Sequence, residues 1–284
     1  MLKQRVITAL LMLAILIPAM LYPSPLPFGV VSLALIAAGI WEWFRLNGVA
    51  GRTAVWVALA ASLGCLLYWY ATGLGAPLRY LWLVVGLAWV ACSVWLLPAG
   101  PSRWSGLPQG GRLAGGLFSL VVAWLAVMQA RAMGVNFLLS AMALAWIADI
   151  SAYFVGRAIG GRVFRAKLAP TISPGKTWEG ALGGLAGVLL LSLAWTALDA
   201  RYAMDSDSLY TQLSRHSPAW LVAACVFMTA MSVSGDLLES LVKRSAGVKD
   251  SSGLLPGHGG VLDRLDALLP TLPLAMMFST LGFL

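Results

Sequence analysis

The chain has 284 residues, of which 60% are hydrophobic and 11% charged, and its mean hydropathy is +0.84. No water-soluble fold hides that much apolar surface, and the same figures exclude a disordered chain, a collagen-like repeat and a disulfide-stapled secreted domain. A spanning helix needs about 20 apolar residues, so about nine spans consume roughly 180 residues and leave roughly 100 for loops. The expected fold class is all-α, a polytopic integral membrane protein.

Hydropathy and breaker residues predict spans over 6–22, 28–44, 54–71, 80–97, 113–130, 135–155, 178–198, 218–240 and 265–283. The first run follows Lys3 and Arg5 but lacks an A-x-A-like exit. Pro23, Ser24, Pro25 and Pro27 follow it and a second apolar run begins at once, so it is expected to be an uncleaved anchor. Alternating the loops from an inside N-terminus puts 15 of the 19 lysines and arginines on the inner side. Only Arg79, Arg131, Arg201 and Arg215 fall outside, which is the positive-inside pattern. The net charge of +8 therefore needs no nucleic-acid partner, because the basic residues face an anionic inner leaflet. Cys65, Cys92 and Cys225 lie within apolar runs and form no C-x-x-C pair, which argues against a cysteine zinc site.

The acidic residues divide the chain. Up to Asn136 there is one, Glu42, and residues 1–135 read as a transmembrane scaffold of about five helices. Chemistry is expected in residues 136–284, a region of about four helices with inner-face loops. Asp149, in the run AWIADISAYFVG, shares a helical face with Tyr153 and Gly156. A carboxylate within a span is a site candidate by default, and its plain alternative is a buried hydrogen-bonding role.

The loop 156–176 carries Arg157, Arg162, Arg165, Lys167 and Lys176 among glycines and ends in SPGKTWEG. The GKT string is no P-loop, since residue 170 is proline where that motif requires glycine. Ser173, Lys176 and Thr177 remain candidates for phosphate binding, with Glu179 beside them. Gly180, Gly184 and Gly187 predict close helix packing of the small-xxx-small kind. In the eighth span Ser232, Asp236, Glu239 and Lys243 recur at offsets of 4, 3 and 4 and form one polar stripe. Beyond it, Pro256, Gly257, His258, Gly259 and Gly260 make a rigid turn whose backbone N–H groups can approach an anion. A helix is predicted to start near Leu262, and Asp263 and Asp266 project from one face of its first turn, spaced to address the same divalent cation. Helix capping explains one of these aspartates, not the pair. Carboxylates that hold Mg²⁺ beside cations that hold phosphates are the equipment of phosphoryl or nucleotidyl transfer.

The pattern S-x-x-K-R-x4-K-D from Ser240 to Asp250, followed by P-G-H-G-G-x-x-D-R-x-D from Pro256 to Asp266, resembles that of phosphatidate cytidylyltransferases, the CDP-diacylglycerol synthases. The stretches DISAYFVGRAIGGR and SPGKTWEG resemble the same family, and residues 1–135 do so only in hydropathy. The resemblance implies a bacterial inner-membrane enzyme, multi-pass, with its N-terminus and active site cytoplasmic. It would join CTP and phosphatidate into CDP-diacylglycerol and pyrophosphate for phospholipid biosynthesis, require Mg²⁺ with K⁺ as a candidate companion, work among membrane lipids and form a homodimer. Its catalytic set would be Asp236, Lys243, Arg244, His258, Asp263, Arg264 and Asp266, with metal on Asp236, Asp263 and Asp266. Ser173, Lys176, Thr177, Lys249, Gly259 and Gly260 would bind phosphates, and Asp149, Glu179 and Glu239 would support them. Two alternatives stay open: a CTP-dependent polyprenol kinase, which releases CDP rather than pyrophosphate, and a transporter, which consumes no nucleotide. The D-G-x2-A-R-x8-G-x3-D-x3-D pattern of CDP-alcohol phosphotransferases is absent.

Overall fold

The computed structural model describes residues 2–49 and 51–281. Apolar runs become helices in chain order: α1 (Leu2–Leu21), α2 (Leu26–Leu46), α3 (Arg52–Thr72), α4 (Arg79–Leu96), a short α5 (Pro101–Ser105), α6 (Gln109–Met133), α7 (Val135–Ile159), α8 (Trp178–Arg201), α9 (Leu209–His216), α10 (Pro218–Ser245), a single turn α11 (Leu262–Leu265) and α12 (Leu268–Leu281). Polytopic all-α architecture is as expected. Seven helices, α2, α3, α4 with the turn after it, α6, α7, α8 and α10, are long and apolar enough to cross a bilayer among the described residues. The first and ninth expected spans are helical but shorter: the apolar part of α1 is Val6–Leu21, and α12 has 14 residues. Residues 282 and 283 of the ninth expected span lie outside the described residues.

Broad apolar faces of α3, α4 and α8 are exposed, with Trp56, Tyr70, Val94 and Leu190 among the most open. A bilayer is the solvent that accepts them. The interior is built around α12, whose neighbours are α4, α6, α7, α9 and α10 and whose residues from Leu268 to Phe278 are buried. The glycine seam of α8 does what its spacing predicts. A Cβ at Gly180 would meet the Ala152 carbonyl oxygen at 3.0 Å, one at Gly184 the Ala148 carbonyl oxygen at 2.8 Å, and one at Gly187 Ser151 Oγ at 2.1 Å. Only hydrogen at these positions lets α7 and α8 lie so close.

Polar contacts sort the loops into two ends of the bundle. At one end Thr8 Oγ1 donates to the Pro256 carbonyl at 2.9 Å, Gln109 Nε2 to the Asn47 carbonyl at 2.9 Å and Ser245 Oγ to the Pro101 carbonyl at 3.2 Å. At the other, Arg131 donates to the carbonyls of Met20 and Tyr22, and Asp205 accepts from the Val135 and Asn136 amides at the start of α7. These bonds join the segments that the charge alternation places together.

Two local departures shape the site. The loop after α7 folds into an antiparallel hairpin, β1 (Lys167–Ala169) and β2 (Ser173–Thr177), with Lys167 opposite Thr177 and Ala169 opposite Ser173. The eighth expected span ends at 240, whereas α10 continues to Ser245 and keeps Lys243 and Arg244 in its last turn, where cations complement the helix dipole.

Candidate active site

The carboxylate that organises the site comes from α2. Glu42 is 0% exposed. Its Oε1 accepts from the Val261 amide at 2.9 Å and from Ser252 Oγ, and its Oε2 accepts from the Leu262 amide at 2.6 Å and Ser251 Oγ at 3.1 Å. One side chain thus binds the start and end of the loop 251–262. A buried carboxylate survives only with such a set of donors, and here α11's first amides supply half of it. A Cβ at Gly260 would meet Glu42 Oε1 at 2.4 Å and Ser251 Oγ at 2.0 Å, so only glycine allows this approach.

Asp263 is held in the same way. Its Oδ2 accepts from the Gly260 amide at 2.7 Å, the Ser251 amide at 3.0 Å and Ser251 Oγ at 2.9 Å, while Oδ1 faces Lys243 Nζ at 2.5 Å. Burial acts to raise the Asp263 carboxyl; the Lys243 ammonium and the loop amides outweigh it, and its pKa lies below the ordinary aspartate value. Lys243 also pairs with Glu239, one turn back on α10 and 3% exposed. The sequence reading offers the Gly259 and Gly260 amides to an external anion. The fold gives the Gly260 amide to the protein's own Asp263, and a Cβ at Gly259, where φ is +82°, would come within 2.7 Å of Asp263 Oδ2.

Two adjoining cavities open beside this loop. The first, of about 600 Å³, is polar. Arg157, Lys176, Lys243, Arg244, Lys249 and Arg264 line it together with Asp149, Asp236, Asp250, Asp263 and Asp266. Asp149, Tyr153 and Gly156 all reach it, as their shared helical face predicts. Lys176, carried in by β2, pairs with Asp236 of α10 at 2.5 Å, and Ser240 Oγ donates to the other oxygen of Asp236 at 3.3 Å. Thr177 lines the cavity but spends its Oγ1 on the Gly180 amide as the N-cap of α8. Arg244 leans on the carbonyls of Ile172 and Val248 at 3.4 and 3.3 Å.

The second cavity, of about 400 Å³, is apolar and is walled by α1, α2, α6, α7 and the stretch 258–272. Ala9, Met12, Leu13 and Leu16 of α1 face it. Asp149, Asp263, Arg264 and Asp266 belong to both walls, so the cavities meet at these four residues. Of the other expected site residues, His258 lines the apolar cavity alone, and Ser173, Glu179, Glu239, Gly259 and Gly260 line neither. Glu179 turns instead to the Val163 and Phe164 amides, both at 2.9 Å, and fixes the turn before the hairpin. Among the described residues no three carboxylate, histidine or cysteine side chains converge on a single metal position.

The sequence model of the cytidylyltransferase family matches residues 3–281. The chain belongs to the cytidylyltransferase family. Its relatives include a phosphatidate cytidylyltransferase of Pseudomonas aeruginosa, 38% identical with 96% of this chain and 95% of the relative covered. Those of Haemophilus influenzae and Brucella melitensis are 35% and 33% identical, covering 98% and 99% of this chain and 98% and 94% of the relatives. The matched region runs the length of the chain, so it spans α1 and α2 as well as the motif-rich second half.

Motif reading overlooks Glu42, which lines neither cavity but holds the loop beside them. Its signal was present: a carboxylate inside an apolar run is costly and calls for a partner. No spacing pattern marks it, because every partner lies more than 200 residues away.

Proposed function

We propose that this cytidylyltransferase moves the cytidylyl group of CTP to phosphatidate, giving CDP-diacylglycerol and pyrophosphate. The observation that carries the reading is the meeting of a charged cavity of about 600 Å³ with an apolar one of about 400 Å³ at a shared wall. One accommodates a nucleotide triphosphate, the other acyl chains, and the reaction takes place where they touch.

The lipid phosphate oxygen attacks the α-phosphorus of CTP, and the electron pair of the α–β bridge leaves with pyrophosphate. The attacking monoester is ionised near neutral pH, so no strong base is required of the chain. Its residues act by positioning and charge complementarity. Lys176, Arg244 and Lys249 bind phosphate oxygens, and Lys243, bridged by Glu239 and Asp263, ties α10 to the loop 251–262. Ser173 and the glycine turn support that frame from outside the cavity.

The donor set fits a hard divalent cation. Six cations and five carboxylates face the polar cavity, an excess of one positive charge against two strongly anionic substrates. Mg²⁺ takes one or two carboxylates and completes its shell with phosphates and water, which suits aspartates that line a wall without converging. Asp236 and Asp266 are the proposed ligands, with Asp149 facing them; Asp236 would bind as Lys176 passes from its Oδ2 to a phosphate, and Asp263 joins only if Lys243 gives up its Oδ1. Bound there, Mg²⁺ would neutralise charge on the transferring phosphates, with K⁺ as the proposed second cation.

The proposed setting is the bacterial inner membrane, with the site end of the bundle cytoplasmic, as a homodimer among membrane lipids. The 15 to 4 division of basic residues supports the orientation. Purified protein given CTP, phosphatidate and Mg²⁺ should release pyrophosphate in step with the liponucleotide. Release of CDP without pyrophosphate overturns the reading in favour of a kinase.

A further inference from the structure

Three of the four residues common to both cavities are acidic, namely Asp149, Asp263 and Asp266. A lipid whose acyl chains lie in the apolar cavity must bring its phosphate to this wall, where three carboxylates repel it. Among the six cations of the polar wall, Arg264 is the one that also faces the apolar cavity. Its Nη2 donates to the His258 carbonyl at 3.0 Å, which ties the guanidinium to the backbone of the turn that carries His258. His258 lines the apolar cavity and not the polar one. Its Nδ1 is buried without a hydrogen-bond partner among the described residues. A buried polar atom without a partner calls for one, and a turn of the imidazole toward the cavity that His258 lines offers it a ligand oxygen.

The geometry points to Arg264 and His258 as the seat of the lipid phosphate, with Arg157, Arg244 and Lys249 serving the nucleotide phosphates on the far side of the aspartate wall. This rests on the proposed reaction and divides its cations between the two substrates. A guanidinium fork holds two oxygens of a phosphate monoester in a fixed plane, which a lysine point charge does not. The third oxygen is then left to form the bond to the α-phosphorus as the bond to pyrophosphate breaks. A phosphodiester lipid has only two non-bridging oxygens and fills the fork with none left to attack, so the seat selects monoester lipids.

The test varies each substrate separately with purified full-length protein in mixed micelles. Arg264→Lys and His258→Gln should raise the KM for phosphatidate, as mole fraction, by about tenfold, the value of one charge-assisted contact. The KM for CTP should stay within about twofold. Lys249→Gln should show the opposite split. A second readout needs no turnover: phosphatidate in phosphatidylcholine micelles should raise the unfolding temperature of the nucleotide-free wild type and of Lys249→Gln, and not that of Arg264→Lys. The inference is overturned if Arg264→Lys keeps this protection, or if its KM defect appears for CTP instead. Wild-type protein that gains phosphatidate protection yet makes no CDP-diacylglycerol would sink the proposed reaction and leave the seat standing.

Discussion

Replacing Glu42 with glutamine leaves one carbonyl oxygen where two carboxylate oxygens accept four hydrogen bonds. The new amide nitrogen is a donor facing donors, either the Leu262 amide and Ser251 or the Val261 amide and Ser252. Bonds to a charged group contribute about 1.5–3 kcal/mol each, so the two bonds lost come to about 3–6 kcal/mol before the other two weaken. Relaxation of the exposed part of the loop, with Gly253 and Leu254 open to solvent, reduces this to about 3 kcal/mol. If loop order is needed for turnover, that is roughly a hundredfold in kcat. The assay is pyrophosphate release at saturating CTP and phosphatidate, with thermal unfolding followed in parallel. Gly260→Ala strains the same junction from the opposite side, since its Cβ would sit 2.4 Å from Glu42 Oε1, and should give a similar loss. A Glu42→Gln enzyme that keeps half of wild-type kcat would refute the claim that this carboxylate holds the loop in its working shape.

Asp236→Asn should lower kcat by about a hundredfold or more across a Mg²⁺ titration while the protein remains folded, because asparagine keeps the shape but not the charge that a hard cation requires; recovery at high Mg²⁺ to a third of wild-type kcat would show Asp236 to be dispensable. Lys243→Met strands two carboxylates, Glu239 and Asp263, and should destabilise by about 3–5 kcal/mol, read as a lower unfolding temperature. Adding Glu239→Gln should restore part of that loss, and a double variant no more stable than the single one would count against the bridge. In a Cys92→Ser background, Ala203→Cys should react with an impermeant thiol reagent on intact cells and Gly253→Cys only after permeabilisation; the reverse pattern would invert the proposed orientation.

The parts of this fold legible in the sequence are those that obey a short period. The α8 glycines predict a seam at every third or fourth residue, and the seam is there. Asp149, Tyr153 and Gly156 are placed on one cavity wall by helical spacing alone. What spacing cannot convey is which groups a polar residue chooses as partners. The glycine turn reads as an anion cradle, yet its Gly260 amide goes to Asp263 and the next two amides, of Val261 and Leu262, go to Glu42. Lys243 reads as one member of a polar stripe and of the catalytic set, yet it sits between two carboxylates, one of them 20 residues along the chain. The β1–β2 hairpin escapes notice because its strands are three and five residues long and β2 contains Pro174 and Gly175, poor strand formers both.

The burial of α12 bears on how the protein is assembled. Its 14 residues rise about 21 Å, short of a hydrocarbon layer of about 30 Å, and Pro270 and Pro273 lie within it. Such a segment gains little by partitioning into lipid on its own, and the finished bundle gives it almost no lipid to touch. What holds it is the slot that α4, α6, α7, α9 and α10 make around it. Asp266 stands directly before α12, so the wall shared by the two cavities closes only when that slot is filled.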